Sequence, residues 1–88
     1  MTNNKPLVSV CIPAYNNADY IDQTIDCILS QTYSNLELII CDDKSTDNTV
    51  EVIKKYTDSR LHLYENEENL GMSGNWNNCL FKCKGEFI

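Results

Sequence analysis

Two adjacent carboxylates, Asp42 and Asp43, directly follow an apolar run at residues 36–41. Such a run is typical of a buried strand, and a charge beside it is costly unless it binds something or caps a helix. A second apolar run, residues 7–12, breaks in the same way into Pro13, Ala14 and Tyr15. Because open α/β sheets bind ligands at the carboxyl ends of their strands, these residues are candidates for a binding site.

An aromatic ring beside a carboxylate is suited to a nucleoside. The ring of Tyr15 can stack on a base, and the carboxylate of Asp42 or Asp43 can accept a hydrogen bond from a base N–H or a ribose hydroxyl. Each motif alone also has a structural interpretation. Tyr15 can pack on the start of the next helix, and the two aspartates can interact with the dipole of the helix that follows them. The two motifs together favour the nucleoside site.

Glycines lead into a later helical segment, at Gly71 and Gly74 with Ser73 between them. Glycine at a helix N-terminus permits close approach of an anion, although a flexible loop capped by Ser73 explains the pattern equally well. The spacing matches neither the Walker phosphate loop nor the dinucleotide fingerprint. A Ser or Cys nucleophile is not supported either, because no G-x-S-x-G motif is present and no His lies near a Cys in the sequence.

Composition limits the class of protein. The 88 residues carry a net charge of −6, and the seven Lys and Arg residues are spread along the chain. Binding to nucleic acid is therefore not expected, because it needs clustered basic residues. Neither a signal peptide nor an apolar run long enough to span a bilayer is present, which predicts a cytoplasmic chain, with membrane association of the full-length protein left open.

The five cysteines are odd in number and contain no C-x-x-C pair. Cys11 and Cys41 lie in apolar runs, where a free cysteine behaves as a small hydrophobic residue. We therefore expect free thiols in a reducing compartment. Cys79 and Cys83, four residues apart, remain a weaker candidate for half of a metal site.

The pattern of apolar residues predicts alternating strands and helices after a disordered tail at residues 1–6. Strands are expected at 7–12, where Pro13 ends the run, at 36–41, at 61–64 and from residue 86. Helices are expected at 18–31, capped by Asn16 or Asn17, at a segment capped by Ser45, Thr46 or Asp47, and at 72–82. In the third helix, Met72, Trp76, Cys79, Leu80 and Cys83 are spaced for one buried side.

The order β-α-β-α-β-α-β predicts an α/β fold in which a parallel, Rossmann-like sheet carries helices on both faces. A receiver-like signalling domain is also α/β and has paired acids. That fold, however, places its acid pair after the first strand, where this chain has Pro13, Ala14 and Tyr15. A receiver is therefore disfavoured.

Four stretches of the sequence resemble the N-terminal nucleotide-binding half of family-2 glycosyltransferases, which are inverting enzymes with the GT-A fold. The stretches are residues 8–16, 30–43, 45–49, and 69–74 together with 84–88, in the family's order and spacing. The resemblance covers residues 7–88 and implies the N-terminal half of such a domain.

The resemblance implies a role for particular residues. Pro13, Ala14 and Tyr15 match the loop that lines the base and ribose. Asp43, with Asp42 beside it, matches the acidic position that contacts the base. Gly71 and Asn77 match the region near the sugar nucleotide. Trp76 stands where the family often has Arg, which weakens the expectation of a charged contact to the diphosphate from this helix.

The resemblance also implies a sugar donor, a metal ion and the absence of the catalytic residues from these 88 residues. The donor expected is a nucleotide-diphospho-sugar, with a uridine diphosphate sugar favoured, and the acceptor is a glycan or another molecule. In the family, the strand that begins at residues 84–88 leads into an acidic D-x-D motif that holds Mg²⁺ or Mn²⁺. The chain stops before that motif and before the catalytic base. We therefore expect these residues to bind the donor nucleoside, to bind no metal alone and to be inactive alone.

Two non-enzymatic interpretations remain open beside the transferase. The chain can be a nucleotide-binding module without catalysis, or a self-associating module. An apolar sheet edge and a partly covered helix layer further predict that the 88-residue chain forms a homodimer or aggregates.

Overall fold

The computed structural model describes residues 6–33, 35–84 and 86–87. In chain order the elements are β1 Val8–Ala14, α1 Ile21–Leu29, β2 Leu36–Asp42, α2 Thr49–Lys54, β3 Leu61–Glu65, α3 Gly71–Phe81 and β4 Glu86–Phe87. The predicted α/β order is confirmed. Except for Pro6, the predicted tail lies outside the described residues.

The sheet has the strand order β3-β2-β1-β4, and each pair of neighbouring strands is parallel. β1 and β2 pair over their whole length, from Val8 opposite Leu36 to Ala14 opposite Asp42. β3 ends at the same level as β2, because Glu65 lies opposite Asp42. The carboxyl ends of β1, β2 and β3 therefore finish side by side, and the loops that follow them leave from one edge of the sheet.

Side chains alternate across the two faces of the sheet, and each face is covered by helices. On one face, the residues of β1 and β2 pack against α1 and α2. The buried residues of this layer are Ala14, Ile21, Ile25, Leu38, Ile40 and Ile53. The prediction of helices on both faces is confirmed, because α3 packs on the opposite face through Cys79.

Cysteines form much of the layer under α3. Cys11 and Cys41 of the sheet pack with Cys79 and Cys83, and all five cysteines of the chain are free. The Sγ atoms of Cys11 and Cys83 are 2.8 Å apart. Burial raises the pKa of the Cys11 thiol, and the neighbouring Cys83 and Cys79 thiols raise it further. This thiol therefore stays protonated and acts as a packing group.

The first strand is longer than predicted, because Pro13 does not end it and β1 continues to Ala14. Proline lacks an N–H donor and is found in strands where one side has no neighbour. Among the described strands, β4 pairs with β1 only at Val8 and Ser9. In the described part of the sheet, Pro13 lies opposite Cys41 of β2, and no residue of β4 lies opposite it.

The predicted helix starts are wrong by a few residues. α1 begins at Ile21, and its N-cap residue is Tyr20 instead of Asn16 or Asn17. α2 begins at Thr49 after Asn48, which makes no side-chain cap bond. Of the residues expected to cap α2, Asp47 does accept the backbone N–H of Thr49, at 3.0 Å. Asn16, Ser45 and Thr46 instead bond to one another and hold the loops at the carboxyl edge.

The predicted buried side of α3 is only partly confirmed. Cys79 is buried, but Met72 is 87% exposed and Trp76 is 40% exposed. The helix turns Asn75 and Cys79 toward the sheet. This orientation could not be predicted from the apolar residues, because one of the two buried positions is occupied by the polar residue Asn75.

Stability should depend on pH through the ion pair of Asp58 and Arg60. The Arg60 guanidinium lies 2.8 Å from the Asp58 carboxylate and also donates to the carbonyl of Leu29. Hydrogen bonds from Arg60 lower the pKa of Asp58 to about 2. Because the folded-state pKa lies below the unfolded value, this stabilisation is present above about pH 4 and is lost as the pH falls toward 2.

Urea unfolding of the wild type and of Asp58→Asn between pH 2 and pH 6 checks this. We expect the difference in free energy of unfolding to be largest at pH 6 and to shrink toward pH 2. Asp19→Asn, at an exposed position, serves as the control. A difference between Asp58→Asn and wild type that stays constant over this range would contradict the prediction.

Candidate functional site

A cleft of about 740 Å³ opens where the loops after β1 and β2 meet the start of α3. The first loop contributes Pro13, Tyr15 and Asn17, the second contributes Asp43, Lys44 and Thr46, and the segment at α3 contributes Asn69, Gly71, Met72 and Asn75. This is the carboxyl edge of the sheet, where a ligand site was expected.

Of the residues predicted from the sequence, Pro13, Tyr15, Asp43 and Gly71 line this cleft. The other predicted residues do not line it. Ala14 is fully buried in the core, Asp42 is buried beneath the loops, and Asn77 is exposed on α3. For all seven residues, contact with a nucleotide remains a prediction.

The two adjacent aspartates make different contacts. The carboxylate of Asp42 accepts hydrogen bonds from the backbone N–H of Ser45 at 2.9 Å and from the Ser45 hydroxyl at 2.6 Å. Asp42 therefore fixes the turn after β2. Asp43 is the aspartate that lines the cleft, because successive side chains of an extended segment point to opposite sides.

The carboxylate of Asp43 is 3% exposed and receives three hydrogen bonds. Oδ1 accepts from the backbone N–H of Leu70 at 2.7 Å and from Nδ2 of Asn66 at 3.0 Å. Oδ2 accepts from the backbone N–H of Gly71 at 2.9 Å. Leu70 and Gly71 begin α3, so this carboxylate satisfies N–H groups that have no partner within the helix.

The first two loops are joined to each other through Asn16. Its backbone N–H donates to the Ser45 hydroxyl at 2.9 Å, and its side-chain oxygen accepts from the backbone N–H of Thr46 at 2.8 Å. Asn16 adopts a left-handed φ of 51°, a conformation that Asn tolerates better than most residues. The loop that carries Tyr15 is thereby fixed relative to the loop that carries Asp43.

Tyr15 lines the same cleft as the start of α3. Its backbone N–H donates to the side chain of Asn17 at 2.7 Å, and Asn17 donates in turn to the hydroxyl of Thr49. The backbone is held, whereas the residue is 47% exposed. The ring is therefore accessible for stacking from a fixed position.

Sequence reasoning missed two asparagines that build this site, Asn66 and Asn75. Asn75 is 2% exposed, lines the cleft, and donates through Nδ2 to the carbonyl oxygen of Cys41 at 2.9 Å. Its Oδ1 accepts from Asn66 at 2.7 Å. The available signal was the density of Asn between residues 66 and 78, which is unusual for a helix and its approach.

Within the described part of the chain, no group of three or more His, Cys, Asp or Glu residues could hold a metal ion. The donor chemistry agrees with this, because the carboxylates of Asp42 and Asp43 are already bonded to N–H and hydroxyl donors. In the same described part, no helix is long and apolar enough to cross a bilayer.

The chain is thus an α/β unit with a cleft at the carboxyl edge of a parallel sheet. Residues 9–88 match the family model described as "Glycosyl transferase family 2". The chain belongs to this family, and the family predicted from the sequence is confirmed.

Curated relatives support the same assignment. Over 90 residues the chain is 42% identical to the putative teichuronic acid biosynthesis glycosyltransferase TuaG of Bacillus subtilis, covering 100% of this chain and 36% of the relative. Over 82 residues it is 48% identical to the UDP-Glc:alpha-D-GlcNAc-diphosphoundecaprenol beta-1,3-glucosyltransferase WfaP of Escherichia coli, covering 93% of this chain and 33% of the relative. The chain thus spans about a third of the length of these relatives.

Solved structures show the same fold. The mannosyltransferase PcManGT from Pyrobaculum calidifontis, in complex with GDP-Man and Mn²⁺, superposes with a TM-score of 0.84 at 31% identity, covering 94% of this chain and 26% of that one. TarS 1-349 of S. aureus, in complex with UDP, superposes with a TM-score of 0.82 at 31% identity, covering 92% and 26%.

Gly71 should be sensitive to substitution through its backbone alone. It has a φ of +81°, and a Cβ built on it would meet nothing within 4 Å. Gly71→Ala should therefore lower the free energy of unfolding by about 1–2 kcal/mol through backbone strain and not through a clash. Chemical denaturation measures this loss, and Gly71→Asn should lose less because Asn tolerates the left-handed region. Equal losses in the two variants would contradict this explanation.

Proposed function

We propose that this chain forms the donor-nucleoside half-site of an inverting glycosyltransferase that uses a nucleotide-diphospho-sugar. The observation that carries the proposal is that Tyr15 and Asp43, on loops after neighbouring parallel strands, line one cleft. Membership of glycosyl transferase family 2 supports it. A non-catalytic binding module is not favoured, because the curated relatives described above carry glycosyltransferase names.

The geometry suggests how a nucleoside would be held. The exposed ring of Tyr15 offers a flat apolar surface on which a base can stack. Asp43, which lines the same cleft, offers a carboxylate oxygen to a base N–H. Pro13 extends the apolar surface beside Tyr15, and Gly71 leaves space at the start of α3. Asp42 and Ala14 support these loops from below, and Asn77 is proposed only to lie near the sugar nucleotide.

A uridine diphosphate sugar is the donor that we propose. WfaP is named for the use of UDP-Glc, and TarS has been solved with UDP and with UDP-GlcNAc. PcManGT was solved with GDP-Man, so relatives with this fold use more than one base. The acceptor is proposed to be a growing glycan, in line with the relative named for teichuronic acid biosynthesis.

A divalent cation, Mg²⁺ or Mn²⁺, is proposed for the full-length protein, as the Mn²⁺ complex of PcManGT suggests. The described residues do not provide a set of ligands for it. They bind and orient the nucleoside in this proposal, while the metal ligands and the catalytic base come from elsewhere. We also propose that the site faces the cytoplasm.

Tyr15→Ala should weaken UDP binding by the 88-residue chain. Loss of base stacking typically costs about 1–3 kcal/mol, so we expect Kd to rise about five- to hundredfold. Tyr15→Phe should bind nearly as well as the wild type, because it keeps the ring. Isothermal titration with UDP measures each Kd.

Tyr20→Ala is the matched control, because Tyr20 is 60% exposed and does not line the cleft. Circular dichroism should show that each variant is folded. Absence of saturable UDP binding by the folded wild type would refute the proposed function. An unchanged Kd for Tyr15→Ala would show that the Tyr15 ring does not stack on the base.

Self-association of the chain is a further part of the proposal. Among the described strands, β3 lies at one edge of the sheet, and α3 exposes the apolar residues Met72, Trp76 and Phe81. Light scattering should show a mass that rises with concentration toward a dimer or higher species, and Phe81→Lys should lower it. A constant monomer mass at millimolar concentration would contradict this expectation.

A further inference from the structure

Two side chains, supported by a third, connect the backbone carbonyl of Cys41 in β2 to the carboxylate of Asp43. Asn75 donates to the carbonyl oxygen of Cys41 at 2.9 Å, and Asn66 donates both to Asn75 Oδ1 at 2.7 Å and to Asp43 Oδ1 at 3.0 Å. Asn78 donates to Asn66 Oδ1 at 3.0 Å. We call Asn66, Asn75 and Asn78 the amide cluster.

The carbonyl oxygen of Cys41 and the carboxylate of Asp43 determine which groups of Asn75 and Asn66 donate and which accept. The Cys41 carbonyl can only accept, so Asn75 must present its NH₂ to it and its oxygen to Asn66. Asn66 must therefore donate to Asn75, and its NH₂ also meets the ionised carboxylate of Asp43, which can only accept. Asn66 is thus locked as a donor toward Asp43.

This donor changes what Asp43 can still accept. An ionised carboxylate has about four acceptor positions, two on each oxygen. Leu70 N–H and Asn66 occupy both positions on Oδ1, and Gly71 N–H occupies one on Oδ2. Within the described residues, one acceptor position remains, on Oδ2. Asp43 can therefore receive one further N–H but not a pair of adjacent ones.

We propose that Asn66, oriented by Asn75 and Asn78, is a specificity-determining residue that restricts Asp43 to a base with a single N–H donor. The inference rests on the proposed function, in which Asp43 faces the base. Uracil presents one imide N–H between two carbonyl oxygens and suits a single acceptor. Guanine presents a ring N–H and an amino N–H side by side, which a free carboxylate binds through both oxygens. With Asn66 on Oδ1, the second N–H of guanine has no acceptor, and an unpaired buried donor is costly.

The test compares two purine nucleotides that differ only in this second donor. Inosine diphosphate has the ring N–H of guanosine diphosphate and lacks its amino group. For the wild-type chain we expect guanosine diphosphate to bind about tenfold more weakly than inosine diphosphate. In Asn66→Ala, the position freed on Oδ1 can accept the amino group, and the ratio of the two Kd values should fall toward one.

A second variant and a control distinguish a change in base preference from a loss of protein stability. Asn78→Ala removes the support of Asn66 without touching Asp43 and should lower the same ratio to a smaller extent. Gln23→Ala, on the exposed side of α1, should leave the ratio as in the wild type. A general loss of stability would weaken both nucleotides equally and would not change the ratio.

The outcomes separate the two proposals. A folded wild type that binds no UDP refutes the proposed function, and the inference with it. If UDP binds while Asn66→Ala and Asn78→Ala both keep the wild-type ratio, the inference about Asn66 is wrong and the nucleoside site stands. If the wild type rejects both purines, Asn66→Ala must still gain more affinity for guanosine diphosphate than for inosine diphosphate, and failure to do so refutes the inference.

Discussion

The carboxylate of Asp43 connects the sheet to helix α3, and the geometry of the cleft depends on that connection. A helix begins with backbone N–H groups that lack partners, and a carboxylate at this end also interacts favourably with the helix dipole. Asp43 meets Leu70 and Gly71 at that position, while its own backbone N–H donates to the carbonyl oxygen of Ala14. One residue therefore joins β1, β2 and α3, which carry the walls of the cleft.

The acidic pair is an example of how strand geometry assigns different tasks to neighbouring residues. Asp42 completes β2 and binds Ser45 beneath the loops, whereas Asp43 lies on the α3 side. Because consecutive side chains alternate, both carboxylates cannot enter the cleft. Asp42 thus has the structural role of holding the loop. Asp43 is the candidate for the ligand contact, which remains a proposal.

Much of the fold could be predicted because strands have a local signature. The apolar runs before Pro13 and Asp42 give two buried strands, and their order with the helices gives a parallel sheet. The helix starts were less predictable, since Asn16 can cap its own helix or bond a loop that is distant in the sequence. Only the tertiary structure decides between these partners.

The site residues that directly follow a strand could be predicted from the sequence. The site residues whose burial requires hydrogen bonds to other side chains could not. Tyr15 and Asp43 follow strand ends, so the sheet topology alone brings them together. The burial of Asn75 is favourable only because Cys41 and Asn66 provide partners for its amide. A pattern of apolar residues contains no information on such partners, so the orientation of α3 was predicted from Met72 and Trp76 instead.

The charges of the cleft indicate which part of a donor these residues recognise. Among the described residues that line it, Lys44 is the single cation, whereas the donor that we propose carries a negatively charged diphosphate. The net charge of the chain is −6, which opposes the approach of an anion. The remaining contacts available are an aromatic ring, one carboxylate acceptor position and amides, all suited to a nucleoside. These contacts support the proposal that the cleft binds the base, and in that proposal the diphosphate charge is compensated by the cation of the full-length protein.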